Sequence, residues 1–275
     1  METLIKQAVA SPYGVSAIGR PLDPSYPSNR VAVIGAVLVG IGFGLYNLTA
    51  TETLPSSAFA AAMAVFLAWA VGREIDPDNT RTAGLAMIGT AGFSLFFAPS
   101  LLLGAGVLIG TRLASGTVGL RLKPIDRVVV ISLAGLLGSG AITLAAVPLL
   151  AIGIVINDGR SRLAYATAGI AILAATSVAI VRQPEVAATA PDWASLILLG
   201  LVVASAALVP RTRKVVAQTD VGEVGLSGWR IDVSRLGLAA TIVLAVALAG
   251  NVGFEQSMGT AGAALLGTAI ARWSP

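Results

Sequence analysis

Apolar runs near the length of a membrane crossing alternate with short polar stretches along most of the chain. A bilayer's hydrocarbon core is about 30 Å thick, so about 20 helical residues cross it, and only helices or closed barrels satisfy their own backbone there. The runs lack the strict alternation of barrel strands, which predicts an all-α, polytopic membrane protein. Residues 1–29 read as a polar tail broken by Pro12, Pro21, Pro24 and Pro27. Within it, Leu4–Val9 reads as a short amphipathic turn on the membrane surface. Residues 30–275 form one helical membrane domain.

The first predicted helices run from Arg30 to about Leu48, from Ser57 to Val71 and from Thr82 to Phe97. A fourth follows Ala98-Pro99-Ser100, and from Ser100 to Arg112 it rises only about 18 Å. Arg112 therefore falls beneath the inner surface as the best candidate for a buried charge, with snorkelling to the headgroups as the alternative.

The stretch Val128–Asn157 decides the topology. As one helix it would be about 45 Å long, and it contains Gly138-Ser139-Gly140 and Pro148, so it is split into two short segments meeting near Gly138–Gly140. A single tilted, kinked helix is the alternative. Further helices are predicted over about Arg162–Val181, Trp193–Val209, Ser234–Ala249 and Gly259–Ala271, with residues 211–233 as the longest internal loop and Trp229 as its headgroup anchor. The sum is about ten transmembrane or half-membrane segments in five hairpins, both termini cytoplasmic.

Charge supports the split. Of the 18 Lys and Arg residues, all but Arg182 fall on the cytoplasmic side or its edge, whereas one long helix would move Arg160, Arg162 and the Pro210–Lys214 cluster outside. Each outward helix also begins with a polar capping candidate and an arginine: Ser28/Asn29 with Arg30, Asp78 with Arg81, Asp126 with Arg127, Asp158 with Arg160, Asp232 with Arg235. Ile75-Asp76, Ile125-Asp126 and Ile231-Asp232 echo one another, as tandem duplication or common capping needs would produce.

Composition narrows the chemistry. The chain is 56% hydrophobic and 12% charged, with a mean hydropathy of +0.85. It has no cysteine or histidine, which removes thiol nucleophiles, disulfides, imidazole ligation and the usual proton shuttle. The pI near 9.8 is explained by orientation rather than nucleic acid. The expected location is a cell membrane, most simply the plasma (inner) membrane.

The densest polar stretch is Gly72–Thr82. Its Glu74, Asp76 and Asp78 could hold Mg²⁺ with a diphosphate, and Arg73, Arg81, Arg112, Arg127 and Arg160 could supply phosphate donors. No cofactor is otherwise evident. Under the alternative, Asp78 caps a helix, the other acids are solvated and the arginines set orientation. Arg73-Glu74-Ile75-Asp76, between two helices, resembles a fragment of the aspartate-rich loop of UbiA-type intramembrane prenyltransferases. The residues before it, Ala68-Trp69-Ala70-Val71-Gly72, lack that family's Asn and Asp, and a second aspartate-rich motif is absent. The resemblance therefore implies a chemistry, prenyl or lipid phosphate held by metal, without assigning the chain to the family.

Small residues recur inside the helices. Gly40/Gly44 and Gly106/Gly110 are GxxxG pairs that allow close helix packing, either within the chain or against another membrane protein or a second copy. No carboxylate lies at the centre of a predicted helix, which disfavours a proton-driven pump. Glu255 is nearest, at an expected outer turn. The leading expectation is a carrier or permeation protein for a small or lipidic solute. The alternatives are a non-enzymatic subunit of a membrane complex and a Mg-dependent enzyme acting on a lipid or prenyl phosphate.

Overall fold

The structure, a computed structural model, describes residues 16–20, 22–23, 25–50, 54–184, 189–209, 215–221 and 224–273. Among these the fold is all-helical, with one isolated bridge, Gln218 to Gly225. The stretch Leu4–Val9 and the cluster Pro210–Lys214 lie outside the described residues. The helices are α1 (Pro27–Thr49), α2 (Ala58–Ile75), α3 (Thr80–Ser94), α4 (Leu101–Ser115), α5 (Pro124–Leu137), α6 (Ala141–Leu144), α7 (Val147–Asn157), α8 (Arg162–Arg182), α9 (Trp193–Leu208), α10 (Gly228–Ser257) and α11 (Ala263–Trp273). A π-helical turn, Met258–Gly262, joins the last two.

Four stretches are long and apolar enough to cross a membrane: Pro27–Thr49, Ala58–Ile75, Arg162–Arg182 and Gly228–Trp273. They suit an integral membrane protein. Large apolar side chains stand exposed on α1 (Val31, Ile34, Leu38) and α8 (Leu173, Ile180, Val181), while α2 and α4 bury most of their surface. A lipid solvent covers the exposed residues at no cost, whereas water would not.

The chain reverses twice inside apolar runs. Val128–Asn157 is broken at Gly138–Gly140. Asn157, ending α7, donates to the Leu120 carbonyl and accepts from the Leu122 N–H, both at 3.1 Å, so the chain returns to where α5 begins. A side chain at Gly138 would overlap the Ala175 carbonyl of α8. The second reversal interrupts α10, where Ala249 and Gly250 leave helical geometry and Gly250 adopts φ 57°. Arg235 from the outgoing limb and Arg272 at the end of the returning one both reach Asp76. Both ends of Gly228–Trp273 thus meet at Asp76. The helical start of this stretch lies at Gly228, within the expected loop.

Caps differ from expectation at four helices. Asn79, not Asp78, caps α3 through the Arg81 N–H, and Ser161, not Asp158, caps α8. Tyr26 and Ser227 precede α1 and α10 without a side-chain cap, so Ser28, Asn29 and Asp232 have no capping role. Asp126 sits inside the first turn of α5 and accepts from the Lys123 N–H at 3.0 Å. Helices closed by a neighbouring hydroxyl or amide leave the carboxylates available for tertiary contacts.

The GxxxG glycines pack inside the chain. A Cβ at Gly40 would stand 3.1 Å from the Ala62 Cβ, and one at Gly44 3.6 Å from Ala58. At Gly106 it would meet Leu137 at 2.9 Å and Ala146 at 3.1 Å, and at Gly110 Leu149 at 2.8 Å. These faces are therefore occupied by the chain's own helices.

Candidate functional site

Helix ends and the segments beside them gather the charged residues at one end of the bundle. Helix α2 runs one turn past its expected end, which carries Arg73 and Glu74 on its last turn. Glu74 is fully buried. It accepts from Arg112 Nε at 2.7 Å and from the Thr117 hydroxyl, with Arg20 Nη1 at 3.8 Å. Arg112 is buried rather than snorkelling, and its Nη1 also donates to the Ile18 carbonyl at 2.7 Å.

Asp76 ends α2 and forms a separate buried centre. Its Oδ2 accepts from Thr82 Oγ1 at 2.7 Å, and its Oδ1 from Arg272 Nη2 at 2.5 Å, with Arg235 Nη2 3.5 Å away. Arg235 Nε donates to the Ile75 carbonyl at 2.8 Å. Asp78, by contrast, is exposed and accepts from the backbone N–H groups of Val216 and Ala217.

The expected acidic constellation is thus divided among three partner sets. Among the described residues no group of three or more His, Cys, Asp or Glu side chains is placed to hold a metal ion. The arginines divide too. Arg127 pairs with Asp158 and donates to Thr167 Oγ1 at 2.7 Å, while Arg81 and Arg160 are exposed. Arg73 donates to the Pro77 carbonyl at 3.4 Å and, among the described residues, has no carboxylate within ion-pair distance.

The stretch expected to be a free tail crosses this end as a strap. Ser16 Oγ and the Ala17 N–H donate to Asp126 at 2.5 and 3.0 Å, and Arg20 pairs with Asp220. Burial pushes the Asp220 carboxyl above its ordinary value, with Arg20 opposing the shift. Arg20, Asp220, Arg235 and Arg272 were not singled out as site residues from the sequence. Arg272 did carry one signal, a lone charge inside an apolar run near a helix end.

A second polar group lies deeper. Thr90 and Ser94 of α3 and Thr260 of the π-helical turn are buried, and their hydroxyls have no hydrogen-bond partner among the described residues. The π-turn packs on α2, α3 and α4, and a Cβ at Gly104 of α4 would stand 3.5 Å from Thr260 Oγ1. Counted along the helices from Thr82 and Arg272, which both bond Asp76, these hydroxyls lie about 12–18 Å from the charged end. Nothing in the sequence pattern separates them from other helical Thr and Ser residues.

At the other end Ser195 Oγ donates to Asn251 Oδ1 at 3.0 Å, Asn251 Nδ2 donates to Glu255 Oε1 at 2.7 Å, and the Asn251 N–H donates to the Thr189 carbonyl at 3.0 Å. Asp192 caps α9, and the donors of Ser195 hold its carboxyl below the usual carboxylate range. Comparison of the chain with known protein families, with characterised proteins and with solved structures finds no match.

Proposed function

We propose that this protein is a carrier or permeation protein for a small or lipidic solute in the plasma (inner) membrane. Its segments form five hairpins, with the charged end and both termini on the cytoplasmic side, as the placement of all its Lys and Arg residues but Arg182 favours. The observation that carries the reading is the set of buried hydroxyls of Thr90, Ser94 and Thr260, reaching from mid-depth towards the outer end beside a π-helical turn. A hydroxyl facing hydrocarbon costs free energy, and π-turns and broken helices recur where backbone and side chains serve a ligand. Three such oxygens, spread over about 6 Å along the bundle, give a polar solute successive partners without a titrating acid, which suits uncoupled movement.

Reconstitution into liposomes tests this directly. Osmotic uptake of glycerol and transbilayer movement of a fluorescent phosphatidylcholine are to be measured for the native chain and for Thr90→Val with Thr260→Val. The expected result is movement of one probe that falls about tenfold or more in the double variant. No movement of either probe, or full movement in the variant, overturns the reading.

A further inference from the structure

The strap, the start of α1 and the last turns of α2 enclose a cleft at the charged end. It consists of two hollows of about 200 and 320 Å³ that share Arg20, Asn29, Trp69 and Arg73. Glu74 and Arg112 floor the first, and Asp220 lines the second. Three guanidiniums therefore face two carboxylates. Arg112 is committed to Glu74, and Arg20 bridges Glu74 and Asp220. Arg73 supplies the charge in excess.

A third, largely apolar hollow of about 160 Å³ continues from Leu22, Asn29 and Arg30 along Val33 and Ile34 of α1. Ile34 is 56% exposed. The polar cleft thus opens onto the outer, apolar face of a candidate membrane span. A ligand matched to both carries negative charge at one end and hydrocarbon at the other.

We infer that the Arg73 cleft binds the phosphodiester of an anionic glycerophospholipid, with one acyl chain lying along Val33 and Ile34. Arg73 meets the phosphate in charge-assisted hydrogen bonds, and Trp69 and Tyr26 line the cleft where aromatic rings favour the headgroup level. The inference rests on the charged end meeting the membrane surface and not on solute movement through the bundle.

Native mass spectrometry of the detergent-purified chain, with added phosphatidylglycerol, phosphatidylcholine or inorganic phosphate, provides the test. The native chain is expected to retain one phosphatidylglycerol under activation that strips phosphatidylcholine. Arg73→Gln should weaken that retention about tenfold, the equivalent of one charge-assisted bond, while Arg182→Gln should leave it unchanged. Ile34→Trp, at an exposed position that folding tolerates, should weaken it with every guanidinium intact. Equal retention of the two lipids, or unchanged retention in both Arg73→Gln and Ile34→Trp, overturns the inference. Displacement of the lipid by millimolar inorganic phosphate overturns it as well, because the site then recognises free phosphate. Loss of flux in the hydroxyl variants with lipid retention intact would separate this site from the proposed permeation path.

Discussion

One end of the bundle is closed by buried ion pairs and the other mainly by neutral hydrogen bonds. At the charged end Glu74 and Asp76, two residues apart on the same helix terminus, draw in Arg20, Arg112, Arg235 and Arg272 from the strap, α4, α10 and α11. At the opposite end Ser56 Oγ donates to the Phe97 carbonyl at 2.9 Å, the Leu54 N–H donates to Asn47 Oδ1 at 2.8 Å, and Ser195 and Asn251 tie α9 to the α10 reversal. Buried ions bind distant segments together but make each partner costly to lose, because removal of one leaves the other charged and dry. Neutral bonds are worth less and cost less. Single substitutions should therefore act very unequally on the two ends.

The largest effect is expected from Glu74→Ala, which strands Arg112, and from Asp76→Ala, which removes the carboxylate paired with Arg272 and leaves Arg235 with Asp232. Each should lower stability by about 3–5 kcal/mol, read as unfolding in mild detergent. A cost below that of the neutral-end variants would show that the ion pairs do not close the bundle. Next comes Gly250→Ala. Its positive-φ backbone, open to glycine, should cost about 1–3 kcal/mol with a side chain, and the added methyl would also overlap the Thr189 carbonyl. An unchanged unfolding midpoint would mean that the α10 reversal is not built on this residue.

At the neutral end Ser56→Ala removes the bond to the Phe97 carbonyl and should cost about 1 kcal/mol. A loss matching that of Glu74→Ala would erase the contrast between the ends. The smallest effect concerns pH. The folded Asp220 carboxyl titrates above its ordinary value, so the native state holds its proton more tightly than the unfolded chain does. Stability from this group is greatest below the ordinary carboxylate value and falls as pH rises through the window up to the raised one. The difference between the native chain and Asp220→Asn, followed by thermal unfolding across that range, should show this fall. A difference of opposite slope would mean that Arg20 outweighs burial.

The helices and the break at Gly138–Gly140 were legible because length against bilayer thickness and glycine punctuation are local signals. Arg112 was legible as a candidate for the same reason: too few residues separate it from the preceding turn. Its partner was not. Glu74 and Arg112 lie 38 residues apart and Asp76 and Arg272 196 apart, and no spacing rule connects them. Asp78 was misassigned because Asn79 beside it caps equally well, which leaves the carboxylate to the backbone at Val216 and Ala217. The GxxxG pairs were visible as close-packing faces, but which neighbour approached them was not.

The 196 residues between Asp76 and Arg272 also set a clock for assembly. At about 5–20 residues per second, synthesis needs roughly 10–40 s to deliver Arg272 after Asp76 has been made. Glu74 receives Arg112 within the first few seconds of that interval, so its centre can close early. Asp76 has only Thr82 nearby until α10 and α11 arrive. The early helices must therefore wait with one carboxylate near water, and the arrival of the last two helices is what lets it become buried.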